Sequence, residues 1–451
     1  MTKGQSRVLV DKQITEHRVY NMNLRVLIAA EHASAKFGGE AALPLHYYRI
    51  LRQRGIPTWL VVHERTRAEL EALFPQDQHI AYVPDTIWHR MLWQLGNLLP
   101  TRLSYFTLGL VMRLLTQLTQ RQIIGRIVKQ EQINIIHQPI PVSPKEPSML
   151  FGMGVPIIIG PMNGGMDYPP GFHKLQKKTV NLTIFLGRKF LNIMNQLIPG
   201  KKQAALLIVA NERTRKALPQ VACKQVIKIV ENGVNLSIFK PLLSASSNSE
   251  IKTVNYIFIG RLVDWKAVDI LLISFKQASL KFPISLTIIG DGTERDKLEK
   301  QAQELKILST TIHNTGKVFF AGWLSQEKCS EQLQQSDAFV LPSLLECGGA
   351  VVLEAMAKGL PVIATNWGGP ADYLDTSCGI LVEPSSREEF IDSLANAMLT
   401  LAHSPQKRLD MGRMGQNKVM QHFDWEVKVD HMIKIYHKVI ADHLASSKIQ
   451  S

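Results

Sequence analysis

Short apolar runs alternate with helical stretches along this chain, and the alternation is played through twice. Leu24-Arg-Val-Leu-Ile-Ala-Ala30 is too short for a helix and runs into a loop from His32 to Gly39. A helical pattern through Leu43, Leu45, Tyr47, Ile50 and Leu51 stops at Gly55, and Thr58 to Val62 is apolar again. Strand, glycine turn, helix, strand is the unit of a parallel sheet covered on both faces, where strands are apolar throughout rather than at every second position. Ile133 to His137, Val155 to Gly160 and Ala205 to Ala210 continue the set as strands. The rhythm then restarts. Strands are predicted at Tyr256–Ile259, Ser285–Ile289, Val318–Phe320, Ala338–Leu341 and Pro361–Thr365. Helices are predicted between them at Ala267–Leu280, Arg295–Leu305, Gln326–Gln335 and Gly349–Lys358, with a helical tail from Phe423 to Leu444.

Such alternation builds an α/β fold, and 451 residues are too many for one ordinary core. Two doubly wound, Rossmann-like domains facing across a cleft are therefore expected. The expected division is a tail at 1–23, a first domain at 24–212, a second at 213–422 and a C-terminal helix at 423–451 that packs back toward the first. Ligands of such sheets bind outside the carboxyl ends of the strands, so the informative residues should lie in loops that follow strands.

Composition excludes several classes. The chain is 45% hydrophobic and 20% charged, as a globular protein is. Its four cysteines form no CxxC pair, which points to a reduced, cytoplasmic setting. Met1 to Asn23 lacks the apolar run of a signal peptide, and no stretch reaches the ~18 apolar residues of a membrane span. The net charge of +14 is local. Arg90, Arg102, Arg113, Arg121, Arg126 and Lys129 occur in 86–130 without an acid, and Lys174, Lys177, Lys178, Arg188, Lys189, Lys201 and Lys202 do so in 171–202. Without these thirteen, basic and acidic residues nearly balance. The same segments carry Phe185, Leu186, Ile193, Met194 and Leu197 at helical spacing, and the aromatic residues Trp88, Trp93, Tyr105 and Phe106. Basic amphipathic helices with interfacial aromatics suit an anionic membrane surface, as a peripheral protein on the inner face of the plasma membrane, better than nucleic acid. The plainer reading is that these helices pack on the domain core and merely solvate their charges.

The sequence from Leu344 to Ala364 carries the most chemistry. Glu346 follows a strand, Gly348 and Gly349 open a helix, and Glu354 falls eight positions after Glu346. Free amides of Gly348, Gly349, Ala350 and Val351 at a helix start suit a diphosphate. Carboxylates flanking them suit sugar and ribose hydroxyls. Upstream, Gly260-Arg261 and Lys266 place a planar fork and a point charge in another loop after a strand, a fitting pair for a pyrophosphate leaving group. Each element alone has an ordinary structural explanation; together, in one domain, they point to a nucleotide diphospho-sugar.

Glu346 and Glu354 form an E-x7-E motif, and with Glu354-Ala-Met-Ala-Lys-Gly-Leu-Pro-Val-Ile-Ala-Thr365 and Gly368-Gly369 the chain resembles glycosyltransferase family 4, the retaining glycosyl transferases group 1. The resemblance implies the GT-B fold, with an acceptor-binding first domain and a donor-binding second. It implies Glu346 on the donor sugar and Glu354 on the ribose. Gly260, Arg261 and Lys266 are similar to the family's G-R-x4-K-G element, with Ala267 at the final glycine. Gly38 and Gly39 are similar to its N-terminal glycine pair, Asn232 lies in a P-N-G-V-D-like loop, and Gly290 and Gly292 form a G-x-G loop near the base. An aromatic residue common in the family two after the first Glu is replaced by Gly348.

In the first domain, His137 ends a strand and Gly160-Pro-Met-Asn-Gly-Gly165 ends another, so His137, Asn163 and Gly164 are acceptor-side candidates. A lone histidine there is more often a satisfied structural residue. The loop Met166 to Phe172, with Asp167, is expected to border the acceptor. No D-x-D triplet or His/Asp metal spacing occurs, so fixed cations and helix amides are expected to meet the leaving-group charge without metal or cofactor. The expected partners are a UDP- or GDP-sugar and a sugar or lipid-linked acceptor. The rivals are a GT-B-fold epimerase and a non-catalytic nucleotide-sugar-binding protein.

Overall fold

The computed structural model describes residues 23–450 apart from 38, 100–103, 105–106, 176–177, 224 and 241–252, with side chains in 174–186 and 447–450 also outside it. Two compact units result. The first comprises Met1–Gly165, Lys178–Glu231 and Val429–Ser451, the second Met166–Lys177 and Asn232–Lys428.

The first unit is built on seven strands: β1 (Val26–Ala29), β2 (Thr58–His63), β3 (Ile80–Val83), β4 (Ile135–Gln138), β5 (Ile157–Met162), β6 (Leu206–Val209) and β7 (Val226–Lys228). Their order is β3-β2-β1-β4-β5-β6-β7, and every pairing is parallel. β1 is central, with Val26 facing Thr58 on one side and Ile135 on the other. Its four residues are all buried, as expected of a strand covered on both faces.

The second unit repeats the plan with β8 (Val254–Ile259), β9 (Ile284–Ile289), β10 (Leu308–Ser309), β11 (Val318–Gly322), β12 (Ala338–Leu341), β13 (Val362–Thr365) and β14 (Gly379–Val382). The order is β10-β11-β9-β8-β12-β13-β14, again parallel. In each sheet the chain winds outward from a central strand and then reverses. The reversal opens a crevice between the loops after β1 and β4 in one unit, and after β8 and β12 in the other.

The sequence expectation omitted β3, β7, β10 and β14, and these are the four edge strands. Edge strands are exposed on one side and need not be apolar throughout; β7 is half-buried at best. β7 also explains why the first unit runs to Glu231 rather than 212: it extends the first sheet beside β6. The loop Met166–Lys177 belongs to the second unit. Gly171 packs on the Ser385 carbonyl, and the Phe172 ring meets Phe390 edge-on at 5.9 Å.

Candidate functional site

The crevice of the second unit gathers most of the motif residues. The loop after β8 and the loop after β12 are joined by a backbone hydrogen bond from the Leu344 amide to the Trp265 carbonyl (2.8 Å). Across this junction Lys266 Nζ donates to Glu346 Oε2 in a short, largely buried ion pair. Residues 80 positions apart thus become direct partners because their strands are neighbours at the reversal. Arg261 stands exposed beside them, with no ion pair to a described residue.

Gly349 precedes the helix Ala350–Ala357 in the left-handed conformation (φ 74°), which only glycine adopts freely. A side chain there would also press on the Glu346 methylenes, 3.0 Å from an added Cβ. The turn aims the helix start, where the amides have no intrahelical acceptor, at the space beside Glu346 and Lys266. Gly348, Gly349, Ala350 and Val351 are all half-buried rather than packed away. Gly369 donates its amide to the Glu346 carbonyl (2.8 Å) and holds the loop from behind. Glu354 lies one turn into the helix and makes no hydrogen bond to a described side chain. Desolvation raises its carboxyl to about 7.

Gly260, Gly290 and Gly292 prove to be packing residues of this site. A Cβ on Gly290 (φ 136°) would fall onto the Gly260 carbonyl oxygen, so these loops touch only as glycine. Leu262 then donates to the Asp291 carbonyl (2.9 Å) and accepts from the Glu294 amide (3.0 Å), which fixes the segment bearing Arg261. Asn232 is buried in the same unit and donates to the Tyr373 hydroxyl (2.9 Å).

The crevice of the first unit is a separate cavity of about 1200 Å³. Glu31 and Glu40 come to it from the loop and helix after β1, Lys145 and Glu146 from the loop after β4. Asn163 and Gly164 line it as well. Asn163 donates to Glu231 Oε1 (2.7 Å) and accepts from Arg213 (3.1 Å). Gly39 starts the helix Gly39–Gln53 with open space around it. Gly38 lies outside the described residues. The charged lining of this cavity was not foreseen, because its members come from six separate segments and have no sequence spacing to betray them.

Three expectations need correction. His137 is not an acceptor-side group: it is wholly enclosed, with Nε2 bonded to the Gly160 carbonyl (2.7 Å) and Nδ1 to the Tyr436 hydroxyl (2.7 Å). Burial lowers its pKa to about 4, so it is a neutral core imidazole. The Met166–Phe172 loop does not line the cavity of the first unit. It packs in the second, where the Asp167 carbonyl accepts from the Trp367 indole (2.9 Å). Finally, one group of metal-ligand type does assemble among the described residues: His63, Asp85 and His89, with ligand atoms within 4.8 Å of one another. His89 is engaged on both ring nitrogens and His63 on one, while His63 Nε2 and Asp85 Oδ1, 3.8 Å apart, are buried without a hydrogen-bond partner among the described residues. His89 bonds Thr86 Oγ1 (2.7 Å) and Thr116 Oγ1 (3.0 Å), and His63 Nδ1 accepts from the Arg65 amide (3.2 Å).

Comparison with known proteins agrees with this geometry. Residues 240–418 match the family described as glycosyl transferases group 1, the family that the motifs resemble. The glycogen synthase of Mycobacterium tuberculosis is 26% identical over 212 residues, 47% of this chain and 48% of that protein. A sulfoquinovosyl transferase of Arabidopsis thaliana is 28% identical over 210 residues, 44% of this chain and 37% of that protein. The chain thus spans about half the length, or less, of these curated relatives. Among solved structures, Anabaena HepE in complex with UDP aligns with a TM-score of 0.59 at 18% identity, covering 94% of this chain and 100% of that one. Sucrose-phosphate synthase from Thermosynechococcus elongatus aligns at 0.62 and 19%, covering 93% and 100%. The fold is GT-B.

Proposed function

We propose, taking the group 1 match at residues 240–418 as premise, that the protein is a glycosyltransferase that moves a sugar from a nucleotide diphospho-sugar to an acceptor hydroxyl. The observation that carries this reading is the Lys266–Glu346 pair set against a glycine-opened helix start at a sheet reversal. It joins a cation and amide dipoles for a diphosphate to a carboxylate for the transferred sugar. Arg261 adds a second cation on the leaving group, and Glu354 accepts from the ribose. HepE was solved with UDP and with UDP-glucose, and one relative is a GDP-mannose-dependent mannosyltransferase, so uridine and guanosine donors are the two to try.

In the reaction the bond from the anomeric carbon to phosphate oxygen breaks, and the bond to the acceptor oxygen forms on the same face. The acceptor proton passes to the departing diphosphate, so no protein nucleophile takes part. Charge on the leaving group is met by fixed cations and dipoles, and activity is expected to persist in EDTA.

The acceptor side of this reading is membrane-borne. The helix Ile87–Gly96 and the turn after it expose Trp88 (63%), Trp93 and Leu98 (80%), and the helix Lys178–Leu197 exposes Phe190, Ile193 and Leu197 (72%). Arg90 and Lys189 are exposed on the same helices. Lys201, counted earlier with the surface cations, is buried. No helix of the described residues is long and apolar enough to cross a membrane, and the attachment proposed is through these exposed faces.

The test is a thermal-shift screen of nucleotide sugars, in which a donor at 100 times its Kd stabilises by about 2.7 kcal/mol. Cys347, exposed between Glu346 and Gly348, provides a local check. Its alkylation should slow when the donor binds, and an unchanged labelling rate under a saturating donor would reject this site.

A further inference from the structure

The cavity of the first unit is lined by both signs of charge. One group of lining residues is Glu31 and Glu40 with Arg65, and with Arg113 tied to Glu146 by a 2.8 Å ion pair. Burial raises the Glu31 and Glu146 carboxyls, while Arg113 opposes the rise in both. Carboxylates at the wall of a cavity accept hydroxyl donors well and repel anions.

A second group of lining residues is contiguous and cationic apart from Glu212, which opens the helix that carries Arg213 and Lys216. Burial lowers the pKa of Lys145 and the nearby Arg188 guanidinium adds to the fall, and Lys145 donates to Asn192 Oδ1 (3.1 Å). Pro144, next to Lys145, packs against Gly164, whose carbonyl accepts from Arg213 Nε (3.2 Å). Lys216 lines the cavity one helical turn beyond Arg213. Behind this wall Lys201 is wholly buried, donating to the carbonyls of Ser143 (3.2 Å) and Pro144 (2.6 Å). Its amine holds the loop whose next residue is Lys145. Glu146 lies on the far side of Lys145, paired to Arg113. Like charges gathered in a concave wall repel one another, and an anion between them removes that cost.

We propose that this cavity binds a phosphorylated polyol or sugar, with its hydroxyls toward Glu31 and Glu40 and its phosphate on Lys145, Arg188, Arg213 and Lys216. The inference rests on the reading that the first unit takes the acceptor, and it gives that acceptor a class: a sugar bearing a phosphate or diphosphate. The same chemistry is offered by a soluble sugar phosphate and by a sugar joined through diphosphate to a lipid.

The experiment uses the full chain saturated with UDP, so that the diphosphate clamp of the second unit is occupied. Glucose 6-phosphate and glucose are titrated calorimetrically in parallel. Vesicles of phosphatidylcholine, with and without polyprenyl diphosphate glucose, form the second arm. Either phosphorylated probe should bind at least tenfold more tightly than its uncharged counterpart. Lys145→Gln combined with Arg188→Gln should abolish that preference without changing affinity for UDP, which also reports an intact fold. Glu31→Gln combined with Glu40→Gln should weaken glucose and glucose 6-phosphate alike. A preference for phosphate in the soluble arm assigns a free ester, and in the vesicle arm alone a lipid-linked one. The proposal is overturned if neither arm prefers phosphate, or if the preference survives loss of Lys145 and Arg188. Failure of the wild-type chain to bind UDP would instead strike at the donor reading, and the phosphate preference would stand apart from it.

Discussion

Lys266 and Glu346 form one device, and their substitutions should behave as one. A hydrogen bond to a charged group is worth about 1.5–3 kcal/mol, and each 1.4 kcal/mol is a factor of ten in rate. Glu346→Gln and Lys266→Met are each expected to lower kcat/KM by roughly a hundredfold, and the double variant by little more than either. Steady-state kinetics check this, and a Glu346→Gln enzyme of normal activity would contradict the assignment. Glu354 yields a prediction about pH. Its carboxyl is raised to about 7 in the fold from an ordinary value of 4.5. The folded state therefore holds a proton that the unfolded chain releases, and the stability this adds is present below pH 4.5 and lost as pH rises through 7. Glu354→Gln should raise the Tm of the ligand-free protein at pH 8, leave it nearly unchanged at pH 4, and weaken donor binding. A Tm that falls at pH 8 would contradict it. His137 marks the opposite limit of reading single residues. Its position at a strand end was visible in the sequence, but its hydrogen-bonding partner Tyr436 lies 299 residues away and no local signal predicts that contact.

At the scale of elements, the sequence was most informative where burial was most complete. Central strands such as β1 and β12 are apolar at every position, and a continuous apolar run admits few other readings. The edge strands escaped because a strand with one open side mixes polar and apolar residues as loops do. The donor loops were legible for a different reason: Glu346, Gly349 and Glu354 are fixed within one loop and helix, so their geometry is already a sequence spacing. The charged cavity of the first unit had no such spacing. Amphipathic helices fall between these cases, since periodicity reveals an apolar face but not what covers it. For Ile87–Gly96 that face is open, with only His89 and Gly96 buried. Trp88→Ser, Trp93→Ser and Leu98→Ser together should abolish flotation with phosphatidylglycerol vesicles at low salt while leaving the Tm within a few degrees, because exposed residues hold no core. If the triple variant floats like wild type, this helix is not the docking element.

At the scale of the molecule, the first unit is completed by residues that follow the whole of the second in the chain. Val429, Met432, Tyr436 and Val439 are buried, Tyr436 bonds His137, and Arg54 pairs with Asp430 at 2.6 Å. Tyr436→Phe removes one partner of a buried histidine nitrogen and should lower stability by about 1–3 kcal/mol, measured by urea unfolding, with little effect on UDP affinity. This arrangement also orders the protein's assembly in time. The ribosome delivers a chain from its amino end at about 5–20 residues per second, and domains ordinarily fold as they emerge. Here the second unit can close once residue 428 is free, whereas the first must wait for 429–440, most of whose apolar residues are buried in its core. Residues 24–165 thus leave the ribosome before 254–422 yet stay incomplete longer, and a released chain truncated after residue 428 should be cut by protease within 24–165 far faster than within 254–422.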